Sequence, residues 1–491
     1  MSSHIKKLFS QTMFYGLGAF LNRSLSIILL PVYTAYFSVN ELGYYALLSS
    51  VWFLLIVLYM YGSETSFLKF FIDENSHEGK CKIYSSTLIT ITVTSFIFSI
   101  VVFILAGDIA EFIGFANDSY GIYIVRILSV LLFTDSMYRI PLILLRAELN
   151  AKKYFQLTIV TFILNLAFNL LFIFYFRFGI EAILYSYIIS VAVTYIYSLY
   201  ITKQFLTFKI DLKLTGRMIL YGNKFIYIGL IIIFTEQADR FFLKHYFDEG
   251  LVGIYSASIK LASVMRLLVV AFRFSWTPYF LNIADDPENK KIISEIFTYF
   301  VFAGISLVLI FSLLLPPLVK LEMFGISFLD KDFWYGLKIV PIVLLSYFFA
   351  GLIANMNVAP FFSNKTYHLF INALIGLGVY LISNIILIPL YDITGAAFST
   401  LFSYFVMFIF LYFISQKIYR IEYQWFINLT IFFVAVCCFL LFTLISFFVE
   451  NEMLIFISSI LLVLLFFFTI QLSGLLDLRK VLSIVKSVKV T

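Results

Sequence analysis

The sequence predicts an all-α polytopic membrane protein of about fourteen transmembrane helices, twelve of them forming two copies of a six-helix unit. Three observations carry that prediction. The 491 residues are 62% hydrophobic and only 13% charged, with a mean hydropathy of +1.00, whereas a soluble chain has roughly 25% charged residues. Apolar runs of about 20 residues, the length that crosses a bilayer, begin near residues 10, 43, 84, 120, 156, 181, 218, 251, 292, 333, 368, 394, 424 and 453. Short motifs also recur at a near-constant spacing.

The run-by-run boundaries are softest around 145–156 and 202–218, where charged stretches continue a helical pattern past the expected membrane edge. "MSSHIKK" leads directly into the first long apolar run, so no cleavable leader is expected. The loops set the orientation. "DENSHEGKCK", "RAELNAKKYF", "TKQFLTFKIDLKLTGR", "DDPENKK" and the C-terminal tail belong to the side of the N-terminus. That side holds about 21 Lys and Arg, against about 4 on the other. The excess of positive charge in short loops places both termini in the cytoplasm. It also accounts for the net charge of +6 without nucleic acid. The outer loops stay below about 17 residues, too short for an external catalytic domain.

The repeat is weak but ordered. Tyr15-Gly16 recurs as Tyr221-Gly222, Gly43 and Tyr45 recur as Gly253 and Tyr255, and "YGIYIV" at 120–125 recurs as "YGLKIV" at 335–340. Lys152 and Tyr154 recur as Lys365 and Tyr367, and the offsets run from about 206 to 215 residues. Six helices fit in that length, so both copies cross in the same sense. Parallel repeats of this kind are related by an axis along the membrane normal, with a substrate site between them. The expected domains are therefore an N-lobe over 1–205, a C-lobe over 206–420, and two further helices with a cytoplasmic tail over 421–491.

Nine cations fall inside the expected spans: Arg23, Arg126, Arg139, Lys224, Arg240, Lys260, Arg266, Arg273 and Lys338. Four acids accompany them: Glu64, Asp135, Glu236 and Asp239. All sit on the first, second and fourth helices of each copy. A central Arg or Lys costs roughly 2.5–3.5 kcal/mol on insertion scales. Nine facing lipid would exceed the roughly 5–15 kcal/mol of net stability that a domain has. Lys224, Arg240, Arg273 and Lys338 lie near helix ends, where snorkelling to the interface is an equal alternative. Asp135 with Arg139, and Glu236 with Arg240, are four apart on one helix face and form candidate internal pairs. Granting both pairs, Arg23, Arg126, Lys260 and Arg266 remain in excess. A cationic interior of that kind calls for an anion, and phosphate matches a guanidinium fork at two oxygens.

Aromatic side chains at this density are mostly lipid-facing bulk or interfacial belt; Tyr33, Tyr59, Tyr255 and Trp276 are candidates for stacking on sugar rings. Pro31, Pro141, Pro278, Pro341 and Pro360 interrupt helices, either as packing kinks or as hinges for a gate. The four His are isolated, the three Cys form no disulfide framework, and no phosphate-binding Gly-rich loop or nucleophile motif is present. No metal, cofactor or catalytic residue is expected.

"LPVYTAYFSVNELGYYALLSS" followed by "YGSETSFLKFF" resembles the amino-terminal signature of the oligosaccharide flippases of the polysaccharide biosynthesis family. These are Wzx-type members of the multidrug/oligosaccharidyl-lipid/polysaccharide exporter superfamily. "ADRFFLKHYFDEGLVGIYSASIKLA", "SWTPYF", "GAAFSTLFSYFVMF" and "ISQKIYRIEYQW" continue the likeness over roughly residues 8–425. Lys69 stands where an arginine is common in such proteins, and Asp392 replaces a frequent glycine.

The resemblance implies two six-helix lobes in a V, a central cavity open alternately to each side, and two helices beside it. It implies transport of undecaprenyl-diphosphate-linked oligosaccharide from the cytoplasmic to the outer leaflet of the bacterial cell membrane, with membrane lipids and a glycan polymerase as partners. On that reading Arg23, Arg126, Arg139, Lys260, Arg266 and Arg273 bind the headgroup. Glu64, Asp135, Glu236 and Asp239 hold those cations or couple to H+ or Na+. Open alternatives are a lipid II or teichoic-acid precursor flippase, a drug or metabolite exporter of the same superfamily, a membrane-embedded glycan polymerase or glycosyltransferase, and a non-transporting scaffold.

Overall fold

The computed structural model describes residue 18, residue 21, and residues 24–115, 119–207, 210–284, 286–320, 322–323, 326–449 and 451–474. The chain is helical nearly throughout. Among the described residues twelve helical runs are long and apolar enough to cross a membrane. One of these, α15 (Tyr367–Ile418), is 52 residues long. At 1.5 Å per residue that is about 78 Å, more than twice the hydrocarbon thickness. The backbone breaks inside it at Tyr391 and Asp392, where the dihedrals leave the helical region, so it is two spans joined by a two-residue turn. The expected first span lies largely outside the described residues, which take it up at Ser24 and continue into α1 (Leu30–Tyr36).

Local chemistry sets the ends of the helices. α2 (Val39–Met60) starts at a capping box: the Glu41 backbone N–H donates to Ser38 Oγ at 3.3 Å, and the Ser38 N–H donates to Glu41 Oε2 at 2.9 Å. It ends at Tyr61 and Gly62, both at positive φ, and α3 (Ser63–Asp73) resumes the same span beyond the break. After α4 (His77–Ile104), the short α5 (Ala106–Ile113) and α6 (Ser119–Ala147), Asn150 caps α7 (Ala151–Leu170) by accepting from Lys153 N–H at 3.2 Å. α8 (Glu181–Thr202) follows.

Next come α9 (Leu212–Gly222), capped by Asp211, then α10 (Ile226–Tyr246), α11 (Glu249–Asn282) and α12 (Asn289–Lys320). A two-stranded hairpin pairs β1 (Glu322–Met323) with β2 (Ile326–Ser327) ahead of α13 (Val340–Met356) and α14 (Val358–Phe362). After α15 come α16 (Trp425–Phe448) and α17 (Glu452–Leu472). Pro31 and Pro341 stand in the first turns of α1 and α13, where a missing N–H costs nothing. Pro141 lies inside α6.

The chain divides into two compact units, Met1–Ala257 with Asn384–Ile393 and Ser258–Ser383 with Thr394–Thr491. In the first, α6 is central, flanked by α4 and α8 and crossed by α2; α10 runs along α2 and α9 along α3. In the second, α12 packs against α13 and against the antiparallel pair α16 and α17.

Candidate functional site

The first unit holds two clusters built around a buried aspartate. In one, α6 carries Asp135 and Arg139 one turn apart between α2 and α8. Asp135 is only 2% exposed and receives four hydrogen bonds. Arg139 donates from Nη2 at 2.9 Å and Nε at 3.2 Å, Tyr187 of α8 donates its hydroxyl at 2.8 Å, and Trp52 of α2 donates its indole N–H at 3.3 Å. A buried carboxylate needs such satisfaction. Arg139 is held along one edge by that carboxylate while its side chain stays 38% exposed. The result is a guanidinium of fixed orientation inside an apolar span, with Nη1 left to donate to a ligand.

Two turns further along α6, Arg146 pairs with Glu64 of α3. Residues 135, 139 and 146 share one face of the helix. Arg126, on the same helix, does not: 13 residues at 100° each put it about 220° away from Arg139. Its guanidinium lies exposed, 4.8 Å from the Phe103 ring of α4. The structure therefore separates Arg126 from the other cations of this helix.

The second cluster is on α10. Asp239 is buried; its Oδ2 accepts the Tyr255 hydroxyl of α11 at 2.6 Å, and its Oδ1 accepts from the Arg240 backbone N–H at 2.9 Å and Nη1 at 3.2 Å. Arg240 Nη1 also donates to the backbone carbonyl of Glu236 at 3.0 Å, rather than to a Glu236 carboxylate as the i,i+4 spacing predicts. Gln237 accepts from the Ser50 hydroxyl of α2 at 3.1 Å. This cluster clamps α10 to α11 and α2.

In the second unit Arg266 and Arg273, seven residues apart on α11, both turn to α13. The Arg266 guanidinium lies 6.0 Å from the Tyr347 ring, and Arg273 donates to the Ala350 carbonyl at 3.1 Å. Lys260 is half-buried on the same helix. Arg23 lies outside the described residues. Lys224 and Lys338 are exposed, Lys338 against the Tyr335 ring at 3.7 Å.

The four aromatic residues named as candidates for stacking on sugar are all buried. Tyr33 donates to Asn169 at 2.8 Å, Tyr59 bonds Ser99 at 3.1 Å, Tyr255 serves Asp239, and Trp276 packs between Phe272 and Phe280. In a span with no water, a phenol finds its partner inside the protein. Conversely, sequence reasoning missed Trp52, Tyr187 and Arg146. Arg146 was signalled by its two-turn spacing from Arg139. A cavity of about 540 Å³ between α2, α4 and α9 is lined by Leu58, Tyr59, Tyr61, Phe98 and Ile219 and by no charged side chain, so it is not where the cations gather. Among the described residues no group of His, Cys, Asp and Glu is placed to hold a metal ion.

The lipid II flippase MurJ, in an inward closed conformation, aligns at a TM-score of 0.74 with 17% identity, over 92% of this chain and 97% of that one. A mutant of the Vibrio cholerae MATE transporter VcmN aligns at 0.62 with 16% identity over 84% and 96%. An inward-facing MATE family multidrug transporter of the MOP superfamily aligns at 0.66 with 12% identity over 81% and 95%. At these identities the likeness is one of fold. No curated protein matches the chain. The family model described as polysaccharide biosynthesis protein matches residues 34–330, well over half the chain. That match, on a fold shared with solved flippases and transporters, places the chain in the polysaccharide biosynthesis protein family.

Proposed function

We propose that the protein flips an undecaprenyl-diphosphate-linked oligosaccharide from the cytoplasmic to the outer leaflet of a bacterial cell membrane by alternating access. Both termini are cytoplasmic on this reading, and residues 1–205 and 206–420 are the two lobes. The observation that carries it is Arg139: a guanidinium pinned by the buried Asp135 yet 38% exposed, in the middle of an apolar span. A cation so placed is too costly to keep for packing alone, and its unused donors suit a phosphate oxygen. Arg139, Lys260, Arg266, Arg273 and, in the segment outside the described residues, Arg23 bind the diphosphate or acidic sugars. Arg126 is left out of that set because it points away from Arg139. Asp135 and Asp239 hold their neighbours; Glu64 and Glu236 are the candidates to couple to H+ or Na+.

The test is export of surface glycan in cells carrying Arg139→Gln or Arg266→Gln, with protein abundance measured in parallel. Loss of surface glycan at unchanged abundance supports the reading, and normal export by both variants overturns it. The likeness to a lipid II flippase over 92% of the chain favours one second reading, a peptidoglycan or teichoic-acid precursor as cargo. Cells lacking the protein would then accumulate cytoplasmic wall precursor while surface glycan is unaffected.

A further inference from the structure

We propose that Arg146 and Arg139 together form a two-arginine clamp for a diphosphate at the cytoplasmic end of α6, and that Glu64 fills the outer half of that clamp until the anion displaces it. The inference rests on the diphosphate reading above and adds two residues' roles to it.

The two arginines are seven residues apart, so they share a helix face with about 10 Å between their Cα atoms. Arg139 is held in place by Asp135, and Arg146, a long side chain two turns along the same helix face, is the arm that can close on the same diphosphate. Each also has a carboxylate partner, and the two partners differ in kind. Asp135 is 2% exposed and receives four hydrogen bonds from three side chains. Removing it from Arg139 would strand a buried charge, so it is a fixed part of the wall. Glu64 is 47% exposed, faces an Arg146 that is itself 39% exposed, and among the described residues takes its hydrogen bond from Arg146 alone. An ion pair of that exposure contributes little net stability. A diphosphate, with more oxygens and more charge than one carboxylate, outcompetes it for the same guanidinium.

The break between α2 and α3 makes the exchange mechanically simple. Glu64 is the second residue of α3, directly beyond Tyr61 and Gly62 at positive φ. The carboxylate therefore sits on a first helical turn next to a backbone joint, while Arg146 is carried by the rigid α6. When the anion arrives, Glu64 turns out to water and Arg146 stays.

The test is titration of the purified full-length protein in detergent with inorganic pyrophosphate, by calorimetry, on wild type, Arg139→Gln, Arg146→Gln, Glu64→Gln and the Glu64→Gln/Arg146→Gln double variant. Thermal unfolding of each variant confirms that it is folded. The expected result is about two- to fivefold tighter binding by Glu64→Gln, since the competitor is gone. Arg146→Gln should bind about tenfold or more weakly, and the double variant should match Arg146→Gln. If Arg139→Gln loses binding while Glu64→Gln and Arg146→Gln bind like wild type, the clamp is overturned and the diphosphate reading stands. Absence of binding by the wild type overturns both. Weaker binding by Glu64→Gln overturns the displacement and makes Glu64 a positioning residue.

Discussion

Gly43 of α2 and Gly253 of α11 meet backbone to backbone, each against the residue four before the other. A Cβ built on Gly43 would lie 1.8 Å from the carbonyl oxygen of Glu249, and one on Gly253 would lie 2.0 Å from that of Val39. The reciprocity is that of a two-fold axis passing between the helices, and these are the two glycines that the repeat pairs as equivalents. A second close approach joins Gly62, at φ +74°, to Gly222, with only 2.0 Å between a Cβ on the first and the carbonyl of the second. Above the Gly43–Gly253 crossing, Lys244 pairs with Glu249, and the ring of Tyr44 stacks on Phe115 at 4.3 Å.

Adding a methyl group at either glycine of the crossing must push the helices apart, because the obstacle is backbone and cannot rotate away. Gly43→Ala and Gly253→Ala are each expected to cost about 1–3 kcal/mol, as overpacking does. The double variant should cost less than the sum, since one separation relieves both clashes. Thermal unfolding in detergent of the four proteins checks this. Additive losses would mean that the two glycines do not share one contact.

Asp392 occupies a conformation that suits glycine, with φ 51° and ψ −134° at the turn that splits α15. An L residue there carries strain on the order of 1–3 kcal/mol. Asp392→Gly should therefore raise stability by about 1 kcal/mol, read as a small rise in unfolding midpoint and a slower loss of folded protein on heating. A lower midpoint would show that the aspartate side chain holds the turn more strongly than the backbone opposes it.

The spans were legible in the sequence, because bilayer thickness sets the length of an apolar run, and Gly43 and Gly253 stood out there as positions that the repeated motifs align. That the glycines touch was not legible. Repeat symmetry pairs positions, but only helices beside the axis bring a pair into contact. Asp135 and Arg139 could be read from a four-residue spacing. Their partners Trp52 and Tyr187 could not, being 83 and 52 residues from Asp135 along the chain. Arg146 was assigned to a loop because charges blurred the end of α6, and the helix carries it to Ala147. The three tyrosine candidates are buried for a simpler reason: a phenol in a dry interior bonds to an internal partner.

The Asp135–Arg139 pair separates stability from transport. Removing the acid alone, as in Asp135→Ala, leaves an uncompensated guanidinium and two further orphaned donors, those of Trp52 and Tyr187. A loss of about 3–5 kcal/mol and low protein abundance should follow. Replacing both partners by apolar residues of similar size, Asp135→Leu with Arg139→Met, should restore abundance, because no charge remains to desolvate. Surface glycan export should stay absent in the double variant. Full export by that protein would reduce the pair to a structural staple.

Arg126 supplies the control on the same helix. It has the same charge as Arg139 and lies in the same span, yet it sits on the opposite face with its guanidinium over the Phe103 ring. If the rule were that any intramembrane cation serves the cargo, Arg126→Gln and Arg139→Gln would impair export alike. The geometry sets a different expectation. Arg126 gains from an aromatic face, an interaction of about 0.5–1 kcal/mol at an exposed site, and Arg126→Gln should keep export within about twofold of wild type. Arg139→Gln should lose at least tenfold at equal abundance, because, of these two arginines, it is Arg139 that combines a fixed orientation with an unused donor. Comparable loss in both would mean that a second arrangement of α6, with Arg126 turned to the cargo, takes part in the transport cycle.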